Sequence, residues 1–531
     1  MGSLDWGVLG LYFFVIFGVA FWAGRQERKG AESEDFFLAG RNVGWFVIGA
    51  SLFASNIGSE HLIGLAGTGA ASGVPVAQFE ILAGLILLLL GWLFVPFYVA
   101  SGVYTMPEFL ERRYSKGSRT YLAIISVAGY ILTKISVTVM AGGIVFETLM
   151  GIDFWTGAII VVLATAVYTV WGGLRAVLYT DMVQMFVLLG GALAVTWFGL
   201  EAVGGWGELK ASAGEEMFSL WRPMTDPEFP WTGILFGAPI LGVWYWCTDQ
   251  YIVQRVLSAK SQDDARKGTI FAAYLKQLPI FIFVVPGIIA AVLASKGELT
   301  LDQSDQALPA LMGALLPVGI KGLVVAGLLA ALMSSLSSVF NSCSTVFTMD
   351  IYKQLKPETS DHNLKRIGQI ATIVMVVLGM AWIPLMKLIS SQLYTYIQSV
   401  QAYISPPIAA VFLLGVLWRR ANAKGAFYSL IVGGLLGLVR LILEANKDGL
   451  SGFLYMVADA NFLHVAIFLF VICSLVLVIV SLMSEEPDEA HVAGLTMAAR
   501  GDAAAMRSSA QSRWASVGVI ALVAALWIYF S

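Results

Sequence analysis

The chain has 531 residues, of which 58% are hydrophobic and only 13% charged. Soluble globular domains carry about 25% charged residues, so this composition excludes a soluble fold and predicts an all-α integral membrane protein. The net charge of −3 is small, and both signs occur in short clusters, which gives no indication of a nucleic-acid partner.

Apolar stretches recur from one end of the chain to the other. A membrane-spanning helix needs about 20 apolar residues, and on that criterion we predict about 14 transmembrane helices. They lie at 4–24, 42–70, 75–99, 118–149, 153–171, 176–203, 231–254, 269–295, 308–348, 367–387, 390–418, 423–444, 461–483 and 514–530. The connection 204–230 is expected to be an outside loop, and the Ala-rich stretch 485–513 an inside loop of low complexity.

Basic residues set the expected orientation. Asp5 precedes the first apolar stretch and Arg25 follows it. This order of charges is the reverse of that in a cleaved signal peptide, so the stretch is expected to be a retained helix with its N-terminus outside. With that start, most of the 32 Lys and Arg residues, Arg255 among them, fall in inside loops. An even number of spans then places both termini outside a plasma or inner membrane.

The stretch ASNIGSEH (54–61) interrupts the second predicted span with polar side chains. Gly58 lowers helix propensity, and Ser and Asn side chains compete for backbone groups. A break here would release carbonyl groups at the membrane midplane, where transporters with inverted repeats use such carbonyls to bind Na⁺. A Ser- and Gly-rich contact between unbroken helices is the alternative interpretation.

Serines cluster in a second stretch, ALMSSLSSVFNS (331–342). Ala331, Ser334 and Ser335 have i, i+3, i+4 spacing and share one helix face, which Ser338 extends by a turn. Hard cations prefer oxygen ligands, so hydroxyls on this face can complete a cation site with carbonyls from a broken helix. Small-residue helix packing is the alternative, and it is the favoured interpretation of this stretch taken alone.

Aromatic and polar residues inside the predicted spans favour a carbohydrate ligand. The rings of WYWCTDQ (244–250) can stack on the apolar face of a sugar, although an aromatic belt at the membrane interface is the alternative. Ionisable and amide side chains are costly in lipid, so their dispersion over several spans predicts one shared internal cavity. They are Glu60, His61, Glu80, Asp181, Asp249, Lys276, Gln398 and Gln401.

These stretches resemble the sodium/solute symporter family, and within it the sodium/glucose cotransporter branch. The resemblance covers about residues 30–480. It is carried by DFFLAGR (35–41), ASLFASNIGSEH (50–61), TMPEFLERR (105–113), WGGLRAVLYTDMVQ (171–184), WYWCTDQYIVQR (244–255), LMSSLSSVFNS (332–342), FTMDIY (347–352) and YIQSVQAYISPPIAAVFLLG (396–415). It implies a LeuT-like core of two inverted five-helix repeats at 42–203 and 231–418. The segment 1–41 would supply one helix before the repeats, and 419–531 three helices after them.

The resemblance also implies roles for individual residues. The sugar site would be formed by Asn56, His61, Glu80, Tyr245, Trp246, Lys276 and Gln398. Leu65, Phe79 and Tyr394 would form the outer gate, with Tyr245 as the barrier below the sugar. The sodium site shared across the family would combine the carbonyls of Ala54, Ile57 and Ala331 with the hydroxyls of Ser334 and Ser335.

A second sodium site, found in some members, would use Ser55, Asp181, Ser337 and Ser338. Because the chain has all four residues, we expect two Na⁺ ions per sugar, moved by alternating access. Na⁺ is then the coupling ion, and no organic cofactor is expected. Gly242, Gln401 and Ile81 depart from the family pattern near the sugar, which leaves glucose, galactose, another hexose and an inositol open.

Other functions are open as alternatives at this point. A sugar-gated sensor or leak channel would have the same fold, and another family branch would carry proline, sialic acid, iodide or a vitamin. The chain has no HExxH, GxSxG or Walker motif and only four histidines, so it is not expected to be an enzyme.

Overall fold

Helices account for nearly all of the part of the chain that the computed structural model describes, which is residues 1–25, 32–58, 60–301, 303–389, 393–497 and 509–531. The all-α fold class is therefore confirmed. Within these residues strand pairing is limited to two isolated bridges, Val43 with Ala259 and Arg222 with Pro230. Helices satisfy their own backbone hydrogen bonds, which is what a chain buried in lipid requires.

The helices of the first half are α1 (Ser3–Arg25), α2 (Glu32–Leu38), α3 (Trp45–Asn56), α4 (60–72), α5 (Val74–Ser101), α6 (Met106–Arg113), α7 (116–150), α8 (Phe154–Val203) and α9 (Trp206–Ala213). Those of the second half are α10 (Gly233–Thr248), α11 (Gln250–Leu257), α12 (Gln262–Leu275), α13 (280–295), α14 (Ala307–Leu315), α15 (Ile320–Leu355), α16 (Asp361–Ile389), α17 (Leu393–Leu417), α18 (Ala423–Ala445), α19 (Gly452–Asp459), α20 (Phe462–Met483) and α21 (Ala510–Tyr529).

Eleven helices of the described residues are long and apolar enough to cross a membrane. The predicted spans 153–171 and 176–203 are the two helical arms of α8, which join without a loop at the non-helical Gly173, while 42–70 and 231–254 are each broken in the middle. These three differences separate the eleven helices from the predicted 14, so the exact number of spans stays a prediction.

Local features set the bounds of two predicted segments. The long stretch 308–348, expected to hold one span plus flanking helical turns, divides into the short α14 and the long α15, because Pro317 and Gly319, which has φ 91°, end one helix before the next begins. Helix α12 starts earlier than the predicted 269, since Ser261 caps it by accepting a hydrogen bond from the Asp264 amide at 3.0 Å.

Helix α15 lies at the centre of the bundle and is almost wholly buried. It packs along α8 for most of its length, and α3 packs against α8 and α12. Helices α17, α18 and α20 form a neighbouring group, whereas α21 packs against α5 and α12. The serine face of α15 is therefore enclosed by other helices.

The kink in α8 lies at Gly173, where φ is 58° and ψ is −156°. Only glycine adopts this conformation without strain. A methyl group on Gly173 would lie 2.5 Å from the Phe36 carbonyl oxygen, so α2 packs directly on the turn. Arg175, just beyond the turn, donates to Asp35 Oδ1 at 3.0 Å and to the Ala39 carbonyl at 2.9 Å.

Helices α4 and α13 approach each other closely enough for their backbones to touch. A methyl group on Gly287 would overlap the Ala66 carbonyl oxygen and lie 3.0 Å from the Ala70 amide nitrogen. A methyl group on Gly69 would lie 2.7 Å from the Val284 carbonyl oxygen. Small residues allow this approach, which is a common way for helices to associate in membranes.

We expect Gly287→Ala to lower the melting temperature in detergent, because the added methyl group has no space between the two backbones. Overpacking of this kind costs about 1–3 kcal/mol. Gly313→Ala in α14 is the matched control, since no other residue lies within 4 Å of the position of its added methyl group. Equal melting temperatures for the two variants would contradict the backbone contact.

Candidate functional site

The predicted break at 54–61 is confirmed. Helix α3 ends at Asn56, and Ile57 is extended with φ −73° and ψ 100°. The hydroxyl of Ser335 donates to the carbonyls of Ser55 at 3.0 Å and Ile57 at 3.3 Å. The Tyr251 hydroxyl also donates to the Ser55 carbonyl. The carbonyls released by the break therefore face the serine face of α15 and the start of α11.

A second break separates α10 from α11. The last turn of α10 is π-helical and ends at Thr248, and Asp249 is extended with φ −77° and ψ 128°. The Asp249 carboxylate caps α11 by accepting from the Tyr251 amide at 3.2 Å, and the Tyr130 hydroxyl donates to the same carboxylate. Two interrupted helices thus meet in the interior, joined by the Asn56 amide, which donates to the Tyr245 hydroxyl at 3.0 Å.

A polar cavity of about 90 Å³ opens beside the two breaks. It is lined by Asn56, Glu60, His61, Phe79, Glu80, Leu82, Ala83, Ile86, Lys134, Ala238, Leu241, Gly242, Tyr245, Trp246, Ile397, Gln398 and Gln401. Six of the seven residues predicted for a sugar site belong to this lining. The seventh, Lys276, lies behind it and contacts the lining residues.

Lys276 is the centre of the hydrogen-bond network at this cavity. Its ammonium group is fully buried, donates to Asn56 Oδ1 at 2.5 Å and forms an ion pair with Glu80. His61 Nε2 lies 3.1 Å from Glu80 Oε1 and 3.5 Å from the ammonium nitrogen. The Trp246 ring centroid is 5.5 Å from that nitrogen, within cation–π range. The charge of Lys276 is thus compensated, and the network presents both donors and acceptors.

A second buried cluster surrounds Asp181 in α8. The carboxylate accepts from Ser51 at 2.5 Å, Ser55 at 3.0 Å and Ser334 at 2.6 Å. Arg255 Nη2 lies 3.5 Å from Asp181 Oδ2, and both side chains are fully buried. This cluster brings together four helices: α3, α8, α11 and α15.

Arg255 also reaches the serines of the cluster, although it was expected in an inside loop. Its Nε donates to Ser51 Oγ at 2.8 Å, and its Nη2 donates to Ser338 Oγ. Ser338 Oγ in turn donates to Ser55 Oγ at 3.0 Å. The expected loop position of Arg255 was wrong, because a new helix, α11, begins after Asp249 and Arg255 is buried within it. A count of basic residues in loops does not detect such a helix.

The residues of the two predicted sodium sites are all buried, but they are not equally close to one another. Ala54 and Ala331 lie on the facing helices α3 and α15, beside Ser55 and Ser334. Ser55 and Ser338 reach the Asp181 cluster directly. The hydroxyl of Ser337 instead donates to the Ser334 carbonyl of its own helix at 3.0 Å.

The predicted gate is described only in part. Phe79 lines the cavity, and its ring centroid is 6.3 Å from that of Phe229. Leu65 is buried in the main hydrophobic core rather than in the cavity lining. Tyr245 lies in the lining next to the break of α10. The side chain of Tyr394 lies outside the described residues.

Two charged residues of the cavity were missed by the predicted sugar set. Lys134 Nζ lies 2.5 Å from Glu60 Oε1, and both side chains face the cavity. The signal was present in the sequence, because both are ionisable residues inside predicted spans. Their partnership needs the three-dimensional structure, since 74 residues separate them along the chain.

This geometry defines a class of protein. Two interrupted helices that meet beside a charged, polar cavity in a helical membrane protein are the arrangement of an ion-coupled secondary transporter.

Comparisons with known proteins identify the family. The model of the sodium:solute symporter family matches residues 36–433. The chain is 39% identical to sodium/glucose cotransporter 1 of Oryctolagus cuniculus, over 92% of this chain and 80% of that protein. It is 40% identical to the sodium/myo-inositol cotransporter of Homo sapiens, over 93% and 75%. The chain therefore belongs to the sodium:solute symporter family, whose members are transporters and not enzymes, with Na⁺ as the coupling ion.

A solved structure shares the fold. The substrate-bound, outward-open state of a Na⁺-coupled sialic acid symporter superposes with a TM-score of 0.80 and covers 92% of this chain and 99% of its own. The identity is 24%, so this likeness bears on the fold alone. It confirms the predicted LeuT-like architecture.

Proposed function

We propose that this chain couples the inward movement of Na⁺ to the uptake of a neutral polyol, a hexose or a cyclitol of the myo-inositol type, by alternating access. One observation carries the proposal: the Lys276 network lies next to a helix break whose carbonyls face Ser335. Asn56, the last residue of α3, belongs to the network, and Ile57, the first residue of the break, contacts Ser335. The two proposed sites are therefore adjacent, joined through residues 56 and 57 of the chain.

The chemistry of the cavity favours a neutral substrate with many hydroxyl groups. The buried ammonium of Lys276 is paired with Glu80, so a charged substrate would find no uncompensated partner in this network. Carboxylate, ammonium and amide groups offer both acceptors and donors to hydroxyls, and Trp246 offers a ring face for stacking. Relatives named for glucose and for myo-inositol are equally similar, so both ligands are candidates.

The two sodium sites belong to the same proposal. The shared site consists of the carbonyls of Ala54, Ile57 and Ala331 with the hydroxyls of Ser334 and Ser335. The second site consists of Ser55, Asp181, Ser337 and Ser338. A cation there competes with Arg255 for the Asp181 carboxylate, so binding requires the guanidinium to withdraw.

Stoichiometry sets the accumulation that the transporter can reach. One charge moved through 100 mV gains about 2.3 kcal/mol, and a tenfold sodium gradient adds about 1.4 kcal/mol. One ion thus supports roughly 500-fold accumulation of the polyol, and two ions roughly 10⁵-fold. We propose two Na⁺ per polyol, which the ratio of labelled sodium to labelled polyol entering proteoliposomes measures directly.

The placement in the membrane and the internal repeats complete the proposal. The chain lies in a plasma or inner membrane with both termini outside, as the distribution of basic residues favours. The repeats occupy 42–203 and 231–418, one broken helix in each. The segments 1–41 and 419–531 flank this core.

Uptake by proteoliposomes tests the function. An inward sodium gradient should concentrate radiolabelled glucose, galactose or myo-inositol inside the vesicles, and a potassium gradient of equal size should not. Downhill current without accumulation would indicate a sensor or leak channel instead. Saturable proline uptake, with no polyol uptake, would reject the polyol assignment.

Two substitutions separate the ion site from the polyol site. Ser335→Ala removes a hydroxyl beside the Ile57 carbonyl. The sodium concentration for half-maximal uptake should rise by about tenfold, because the lost contact with the cation is worth about as much as one hydrogen bond to a charged group. Gln398→Ala opens the cavity wall and should raise the KM for polyol more than the sodium requirement.

Ser344→Ala is the control for both substitutions, because its hydroxyl donates to the Gly368 carbonyl and is remote from the break. Its uptake should match that of the wild type. Exchanged phenotypes for Ser335→Ala and Gln398→Ala would show that the two sites are misplaced.

A further inference from the structure

The cavity contains a second acid–base pair besides Glu80 and Lys276. Glu60 lies in the first turn of α4, directly after the break, and Lys134 lies in a π-helical turn of α7. The ammonium group is 2.5 Å from Glu60 Oε1 and 4.9 Å from the Tyr245 ring centroid. Both side chains are mostly buried and line the cavity. The pair therefore belongs to the surface that a bound polyol touches.

The second carboxylate oxygen of Glu60, Oε2, lies beside Gly58 in the break. A methyl group placed on Gly58 would lie 2.8 Å from Glu60 Oε2 and 2.8 Å from Ser335 Oγ. These two oxygens therefore flank the same face of Gly58. Ser335 Oγ also donates to the carbonyls of Ser55 and Ile57. The Glu60 carboxylate thus has one oxygen at Lys134 in the polyol cavity and the other near Ser335, a proposed sodium ligand.

We propose that Glu60 is the residue that couples sodium affinity to polyol affinity, with Lys134 as its counter-charge in the cavity. This inference rests on the proposed function. A negative charge beside Ser335 attracts a cation at the break, and Lys134 weakens that attraction by holding Oε1. Polyol hydroxyls that bond to Lys134 draw the ammonium away from Glu60 and so strengthen its attraction for sodium.

Thermodynamic linkage requires the converse effect to be equally large. If bound polyol tightens sodium binding by some factor, bound sodium tightens polyol binding by the same factor. Coupling factors of this kind typically lie between about 5 and 150. Glu60 has the position for this role because one of its oxygens lies near each site, whereas the hydrogen bonds of Glu80 to described residues are with His61 and Lys276 of the polyol network.

The measured quantity is the coupling ratio, the KM for polyol at limiting sodium divided by the KM at saturating sodium. The wild type and Glu60→Gln are compared in proteoliposomes with whichever of radiolabelled glucose and myo-inositol the wild type accumulates. Glu60→Gln keeps the shape of the side chain and removes its charge. We expect the coupling ratio to fall by about fivefold or more, the lower limit of typical coupling factors.

Two further variants make the result specific. Gly58→Ala keeps the charge but forces Glu60 Oε2 and Ser335 Oγ apart, so it should also lower the coupling ratio. Glu80→Gln should raise the KM by the same factor at both sodium concentrations and leave the ratio unchanged. A Glu60→Gln protein with the wild-type ratio, or a Glu80→Gln protein with an equally reduced ratio, would overturn the inference.

Folding and function are kept separate by two controls. If Glu60→Gln fails to fold because Lys134 is left without its counter-charge, the ratio is measured in the double variant Glu60→Gln/Lys134→Met. A wild-type ratio there also overturns the inference. If the wild type accumulates no polyol, the proposed function fails. The role of Glu60 in sodium binding is then tested by itself, by comparing the melting temperatures of the wild type and Glu60→Gln in sodium chloride and in choline chloride. Equal sodium stabilisation of wild type and Glu60→Gln would then reject its role.

Discussion

Asp181→Asn should abolish sodium-driven uptake and lower the melting temperature of the purified protein. The substitution leaves the fully buried guanidinium of Arg255 without the carboxylate that compensates it. Removing one partner of a buried ion pair costs about 3–5 kcal/mol, because the other charge stays buried and unpaired. It also weakens the acceptor of three serine hydroxyls that join α3 and α15 to α8. Melting curves in detergent and sodium-dependent uptake measure the two effects.

The double variant Asp181→Asn/Arg255→Gln separates stability from ion binding. It removes both charges, so most of the lost stability should return, since no unpaired charge is left in the core. Sodium affinity should stay low, because the carboxylate of the second proposed site is still missing. Asp181→Asn alone with a wild-type melting temperature and sodium affinity would contradict the cluster as described.

Lys276→Gln is expected to weaken polyol binding by about 100-fold or more. Truncating one partner of a buried, hydrogen-bonded charge pair costs about 2–5 kcal/mol. The ammonium joins Asn56 and Glu80 and lies 3.5 Å from His61, so its loss disorganises the whole polar wall. Binding of radiolabelled polyol to purified protein at saturating sodium measures the effect without requiring transport.

Lys267→Gln is the matched control, because Lys267 lies in α12, the helix that Lys276 directly follows. Lys267 is partly exposed and pairs with Asp263 one turn earlier, an arrangement worth only a few tenths of a kcal/mol. Polyol binding should therefore be unchanged. Equal binding by Lys276→Gln and the wild type would mean that the polyol does not depend on this network.

Much of the fold was predictable because hydropathy and length are local properties of the sequence. The break after Asn56 was predictable for the same reason, since Gly58 and its polar neighbours interrupt an otherwise apolar stretch and lower its helix propensity. The absence of a loop between the two arms of α8 was not predictable. A single glycine at 173 turns the chain without a polar loop, and a hydropathy pattern cannot distinguish this from a short connection.

The candidate site was predictable as a set of residue types but not as a set of pairs. Ionisable residues inside membrane spans indicate an internal cavity, because an ionisable side chain exposed to lipid is energetically unfavourable. Which carboxylate faces which basic side chain depends on helix packing. The ion pairs of Glu60 with Lys134 and of Asp181 with Arg255 are therefore visible only in the structure. The resemblance to known symporters supplied roles for Glu80 and Lys276 that spacing alone does not contain.

The turn at Gly173 divides α8 into two helical arms, so a rotation about the turn would move each residue in proportion to its distance from Gly173. Asp181 lies eight residues beyond the pivot, an arm of about 12 Å at 1.5 Å per residue, whereas Val203 is about 45 Å away. Tilting this arm by about 10° displaces Asp181 by about 2 Å and Val203 by about 8 Å. A tilt about Gly173 would therefore move the Asp181 carboxylate about a quarter as far as the helix end at Val203.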